Sequence, residues 1–165
     1  MANNQYLRKW SELGGIAVTI PSEGKQAGTV DDFYFEPETN AVRGLRINIG
    51  ILGYRALQTN TISTIERYAV TIPNENVLIL ERDDRRLPEL LLGHSLLSYK
   101  VMSERGTVVG TVGNILLDTS RPRALRVAAF ELAGDRSGQR FSAHQVTHYE
   151  RDAVVILDKV AKALR

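Results

Sequence analysis

Three histidines offer the most versatile chemistry in this sequence, and all fall in its C-terminal half: His94, His144 and His148. The spacing His144-x-x-x-His148-x-x-x-Asp152 would align two imidazoles and a carboxylate on one helical face, a donor set suited to zinc or non-haem iron. On an extended strand, positions four apart lie about 13 Å from one another, beyond shared coordination. Gly93-His-Ser95 has part of a nucleophile elbow, but the second glycine is missing and no clear strand precedes it. Asp31-Asp32 and Asp83-Asp84 offer paired carboxylates for acid–base work. Neighbours on a strand face opposite sides, however, and cannot flank one substrate bond. Glu23-Gly-Lys25 and Gly106-x-x-x-Gly110 lack the Gly-Lys-Ser/Thr ending of a phosphate loop. No nucleophile, base and orienting group assemble from these residues. The sequence reads as non-catalytic, with no cofactor and no metal.

Surface chemistry is what remains. Arg121, Arg123 and Arg126 concentrate positive charge, and if Leu125 and Val127 face a core, strand alternation turns Arg126 and Phe130 outward. An exposed aromatic beside arginines is the kind of anchor enriched in interfaces. Arg121, Arg123, Arg126 and Phe130 are therefore the candidate partner-binding residues. The competing placement for Phe130 is against the other half of the chain or the C-terminal tail, and Tyr6 and Trp10 read as packing residues.

These residues are positioned by an internal repeat. Leu13-Gly14 recurs as Leu92-Gly93, and Gly24-x-x-x-Gly28-Thr-Val30 as Gly106-x-x-x-Gly110-Thr-Val112. Arg43-Gly-Leu-Arg-Ile47 recurs as Arg123-Ala-Leu-Arg-Val127, and the run Ile62–Ile72 as Val146–Ile156. Each unit reads as strands: Ile16–Ile20, then Val30–Phe35, an alternating segment at Leu45, Ile47 and Ile49, and Ala69–Ile72 in the first. Val108–Leu117, the alternating Leu125, Val127 and Ala129, and Ala153–Leu157 follow in the second. Gly24 and Gly28 are expected to supply positive φ, and Ile62-x-x-Ile65 and Val146-x-x-Tyr149 a helical turn before each last strand. Five or six short strands close most economically as a small barrel. The expected fold is all-β: two tandem small β-barrels over 8–80 and 92–157, a charged linker at 81–91, and a short helical tail at 158–165. In that tail Leu157, Val160, Ala161 and Leu164 share a face, with Lys159, Lys162 and Arg165 elsewhere. Glu81-Arg-Asp-Asp-Arg-Arg86 beside Leu87-Pro88 reads as a solvated connector with a short helical turn after it.

Composition narrows the function. The 165 residues are 43% hydrophobic and 24% charged, a globular balance, and the absence of cysteine excludes disulfides, thiolate metal sites and cysteine nucleophiles. The N-terminus lacks a secretory profile and the longest apolar runs fall far short of a membrane span, so a cytoplasmic protein is expected. Residues 1–91 carry 10 basic and 12 acidic side chains and residues 92–165 carry 11 and 7, too mild an asymmetry to argue nucleic-acid binding alone.

The leucine-glycine start, the glycine hairpin running into a long Gly-x-Val strand, the short Arg-Gly-Leu-Arg-Ile strand and the Ile-x-x-Ile turn ending in Ala-Val-x-Ile resemble the PRC-barrel family, and both copies look like this. The family includes the cytoplasmic domain of the photosynthetic reaction-centre H subunit and the C-terminal domain of a ribosome maturation factor. The resemblance implies small β-barrels that hold protein partners rather than perform chemistry, as adaptors or scaffolds aiding the assembly of larger complexes. RNA-associated work in ribosome maturation is the alternative it implies, and homo-oligomerisation is left open. The chain lacks the membrane helix of the first relative and the additional N-terminal barrel of the second, so neither specific role carries over.

Overall fold

β-Branched and aromatic residues favour extended backbone, and the chain is built mainly of strands. The computed structural model describes residues 4–134 and 138–164, so Arg165 of the expected tail lies outside the described residues. The first half contains β1 (Leu7–Lys9), the single turn α1 (Trp10–Leu13), β2 (Ala17–Ile20), β3 (Lys25–Glu36), β4 (Ala41–Asn48) and β5 (Tyr54–Gln58). β6 (Thr64–Ile65), β7 (Ala69–Thr71) and β8 (Leu78–Ile79) complete it. The second half contains β9 (Leu91–Leu92), β10 (Lys100–Ser103), β11 (Val108–Asp118), β12 (Arg126–Leu132), β13 (Arg140–Ser142), β14 (Val146–Glu150), β15 (Ala153–Ile156) and the C-terminal helix α2 (Asp158–Ala163).

The sequence repeat is also a repeat of strand order. In the first half β2 pairs antiparallel with β3 and parallel with β7, β6 pairs with β7, and β4 lies between β3 and β5. In the second, β10 pairs antiparallel with β11 and parallel with β15, β14 pairs with β15, and β12 lies between β11 and β13. The expected closure into two barrels is not found. The hydrogen-bonded path runs open from β14 through β15, β10, β11, β12, β4, β3, β2 and β7 to β6, and β4 meets β12 in the middle. One apolar core spans both halves, from Trp10 and Phe33 to Phe130 and Val154. Val160, Ala161 and Leu164 of the tail pack onto it.

The ladder registers correct two of the sequence matches. Gly15 N donates to Val30 O (2.7 Å) and Ser98 N to Val112 O (2.8 Å), and both residues have positive φ, so Leu13 corresponds to Leu96 rather than to Leu92. On the third strands, Phe33 faces Leu45 while Ile115 faces Phe130, and Phe35 faces Val42 while Leu117 faces Val127. Val42, Leu45 and Ile47 thus correspond to Val127, Phe130 and Leu132. The likeness between Arg43–Ile47 and Arg123–Val127 is out of register.

Phe130 is accordingly a core residue. A bulge leaves Ala128 unpaired between the Leu117–Val127 and Leu116–Ala129 pairs, which shifts the alternation by one residue and turns Phe130 inward. The ring is 0% exposed and stacks on Phe141 with centroids 5.4 Å apart. Other local expectations change as well. Gly24 has the expected positive φ, but Gly28 does not; a Cβ there would lie 2.5 Å from Asn48 O, so glycine serves close strand approach. The helical turns fall earlier than expected, at Thr59–Thr61 and Ala143–Gln145, and the Ile62-x-x-Ile65 and Val146-x-x-Tyr149 segments lead into or form the short strands β6 and β14.

Each half is completed by the segment that precedes the other. β1 pairs with β11 of the second half, and β9 pairs with β3 of the first. The same clasp secures both exchanges. On β3 a bulge leaves Asp31 unpaired, and Asp32 Oδ1 accepts from Phe33 N (2.8 Å) and from His94 N (3.0 Å). On β11 a bulge leaves Gly113 unpaired, and Asn114 Oδ1 accepts from Ile115 N (2.9 Å) and Ser11 N (3.3 Å).

Candidate functional site

The two halves meet about a pseudo-two-fold axis. Ala41 of β4 pairs antiparallel with Arg126 of β12, Val42 N donates to Leu125 O (2.9 Å) and Val127 N donates to Asn40 O (2.8 Å). Because each residue here faces its counterpart, the seam has two equivalent sides. One opens into a cleft of about 640 Å³ whose walls carry Arg43, Arg85, Arg86, Arg123 and Arg126 against Asp83 and Asp84. The other holds a hollow of about 330 Å³ lined by Glu38, Asn40, His148 and Tyr149 among others.

Local structure fixes Arg43, Arg123 and Arg126. Arg43, the unpaired residue of a bulge on β4, sets Nη2 2.8 Å from Glu36 Oε1. That bond, with the Thr39 hydroxyl donating to the same oxygen, holds the Glu36 carboxyl below the usual carboxylate range. Arg123 reaches across the seam, its Nε donating to Ile62 O (3.3 Å), and Arg126 Nε lies 3.6 Å from Asp118 Oδ2. Arg85 and Arg86 come from the charged connector. That segment is exposed as the sequence implies, yet pinned: Asp84 accepts from Gln58 Nε2 and from the backbone N–H groups of Arg86 and Leu87. Leu87 is buried with Tyr34 and Ala56, and the Tyr34 hydroxyl donates to Glu81 (2.8 Å). Among the described residues the Arg85 side chain has no hydrogen bond or ion pair.

The arginines are not a by-product of the repeat. The ladder register makes Ala128 the counterpart of Arg43 and Ala41 that of Arg126, and extending it through the preceding turns matches Glu38 to Arg123. The connector with Arg85 and Arg86 has no counterpart. Guanidinium groups are thus not a requirement of the repeat itself, although Arg43, Arg123 and Arg126 each hold a local partner here. The charge belongs to one cleft alone, where it can seat carboxylate or phosphate groups through paired N–H donors.

Of the residues expected at a partner site, Arg123 and Arg126 line this cleft, Arg121 is exposed but does not line it, and Phe130 is buried away from it. Arg43, Arg85 and Arg86 were not expected there. Only the pairing of β4 with β12 brings the three segments together, although six consecutive charges at 81–86 were a visible signal.

The other chemistry-bearing residues are spread apart. His148 lies on β14 with Nε2 3.1 Å from Glu150, and His144 sits in a turn capped by Ser142. Among the described residues no group of three or more His, Asp or Glu side chains could hold a metal ion. Asp31 and Asp32 do not point to opposite faces, as simple alternation implied. The bulge brings both toward Arg46, whose Nε is 2.7 Å from Asp31 Oδ2 and whose Nη2 is 3.9 Å from Asp32 Oδ2. Asp32, 1% exposed, also meets the His94 imidazole through Nδ1. That pairing orients a ring but serves no nucleophile, because the Ser95 hydroxyl donates to Leu92 O (2.6 Å). Asn114 and Ser11 make the equivalent contact without an imidazole, which identifies the arrangement as a structural clasp.

Two phenols, Tyr34 buried and Tyr149 half-buried, set a pH limit. Burial raises the Tyr149 hydroxyl well above its ordinary range, and burial with the Glu81 hydrogen bond does the same for Tyr34. The unfolded chain ionises these groups near pH 10 while the folded chain keeps them neutral, so their contribution is whole below about pH 10 and lost as pH rises further. Melting temperature is expected to fall above about pH 10, and more shallowly for Tyr149→Phe. A curve of the same slope in both proteins would disprove the assignment.

Comparison of the sequence with protein-family models and with curated proteins gives no match. Among the described residues no helix is long and apolar enough to cross a membrane.

Proposed function

We propose that this chain is a non-catalytic interaction module, built from two PRC-barrel-like repeats, that holds a protein partner in the arginine cleft at their seam. The reading places it in the cytoplasm, as an adaptor in the assembly of a larger complex. The observation that carries it is the cleft's asymmetry: five arginines are gathered on one side of a pseudo-symmetric seam, with none at the matching positions of the other side. The family resemblance, which implies partner-holding rather than chemistry, supports it. RNA association is the second reading, favoured by the same cations, but the cleft wall contains no aromatic side chain on which bases could stack.

The absence of cysteine makes the test direct. A photo-crosslinker attached at Arg85→Cys in the full chain is expected to trap one protein species from the native extract, and the same label at Glu104→Cys, outside the cleft, is not. RNA trapped at position 85 would establish the alternative. Equal labelling from both positions would defeat the cleft as the partner site.

A further inference from the structure

From the make-up of the cleft we infer that its occupant is an extended acidic polypeptide segment, bound between Arg85 and Arg86 on the connector wall and Arg123 and Arg126 on the β12 wall. This rests on the proposed partner site and specifies what fills it. Every cation in the wall is an arginine and none is a lysine. Guanidinium forks match carboxylates with two parallel N–H donors each, whereas ammonium groups act as point charges.

The remaining groups separate a polypeptide from a nucleic acid. Asp83 and Asp84 line the same wall, and Thr39, Gln58 and Asn60 add hydroxyl and amide groups. An acidic polypeptide and a nucleic acid both carry negative charge along the chain, but a phosphodiester backbone has no N–H donor to offer the Asp83 carboxylate, only ribose hydroxyls. An acidic peptide carries carboxylates for the arginines and backbone N–H groups for Asp83 and the Asn60 carbonyl to accept. The cleft lies between the connector and the segments that meet at the seam and is partly open to solvent, so a polypeptide segment can enter it.

Fluorescence anisotropy on the full chain tests this with labelled octaglutamate, octaglutamine and octauridylate. Octaglutamate is expected to bind with strong salt dependence and octaglutamine not to bind. Arg85→Glu combined with Arg86→Glu should weaken octaglutamate at least about tenfold, with melting temperature unchanged because both side chains are exposed. Arg82→Glu, on the same connector but outside the cleft wall, should change it less than about twofold. Octaglutamate binding no better than octaglutamine, or weakened equally by Arg82→Glu, overturns the inference. Tighter binding of octauridylate with the same dependence on Arg85 and Arg86 overturns the peptide but keeps the cleft. Loss of dependence on those arginines for both probes removes the cleft reading as well.

Discussion

Cut between Leu80 and Glu81, the two halves of this chain are expected to be unfolded when separate and to fold when mixed in equal amounts. Each half has a full set of repeat strands, which makes independence the natural expectation from sequence. The structure denies each half a cover. Residues 1–80 retain β1 but lose β9, the strand that pairs with Tyr34 and Phe35 of β3. Residues 81–165 retain β9 but lose β1 and α1, so β11 loses its partner along Leu116–Asp118. The clasps are broken as well: Asp32 loses the His94 N–H and Asn114 the Ser11 N–H, each acceptor keeping only the N–H of the residue that follows it, and a lost hydrogen bond of this kind costs about 1 kcal/mol. The core spanning both halves is opened along the β4–β12 seam, and a chain of roughly half this length has little stability to lose. Far-ultraviolet circular dichroism of each fragment and of the mixture reads the outcome. A cooperative thermal transition from either fragment alone would show that the exchange is dispensable.

Phe130→Ala is expected to lower stability by about 3–5 kcal/mol, the range for truncating a buried aromatic ring, and melting temperature by on the order of 10 °C. The ring is fully buried, stacks on Phe141 and lies with centroids 6.3 Å from Tyr149, so its removal leaves a cavity that its neighbours on β11, β13 and β14 cannot fill without moving. Arg126→Glu, four residues earlier on the same strand and exposed, should lower the melting temperature far less, because its ion pair with Asp118 is partly solvated. The two changes therefore separate: one acts on the fold, the other on the cleft. A stable Phe130→Ala protein with impaired ligand binding would restore Phe130 as a surface anchor.

The sequence by itself determined the repeat, the strand-rich character of both halves, the turns at Gly24 and Gly106, and the apolar face of the C-terminal helix. These follow from local preference and periodicity: β-branched runs extend, glycine accepts positive φ, and residues three and four apart share a helical face. Phe130 and Asp32 mark where that reasoning stops. Alternation places a strand residue in or out only while every residue is paired. Bulges at Asp31, Arg43, Gly113 and Ala128 break the count, turning Phe130 inward and gathering Asp31 and Asp32 on one arginine. The register of the third strands was equally hidden, because Arg43–Ile47 and Arg123–Val127 look alike in composition while the ladders pair them differently. The cleft belongs wholly to the tertiary structure. Arg43, the connector pair Arg85 and Arg86, and the pair Arg123 and Arg126 come from three stretches of chain separated by roughly forty residues each. They converge because β4 and β12 pair across the seam and because Asp84 and Leu87 pin the connector beside it. Contacts between residues so far apart depend on which strands meet, and local sequence carries no record of that choice.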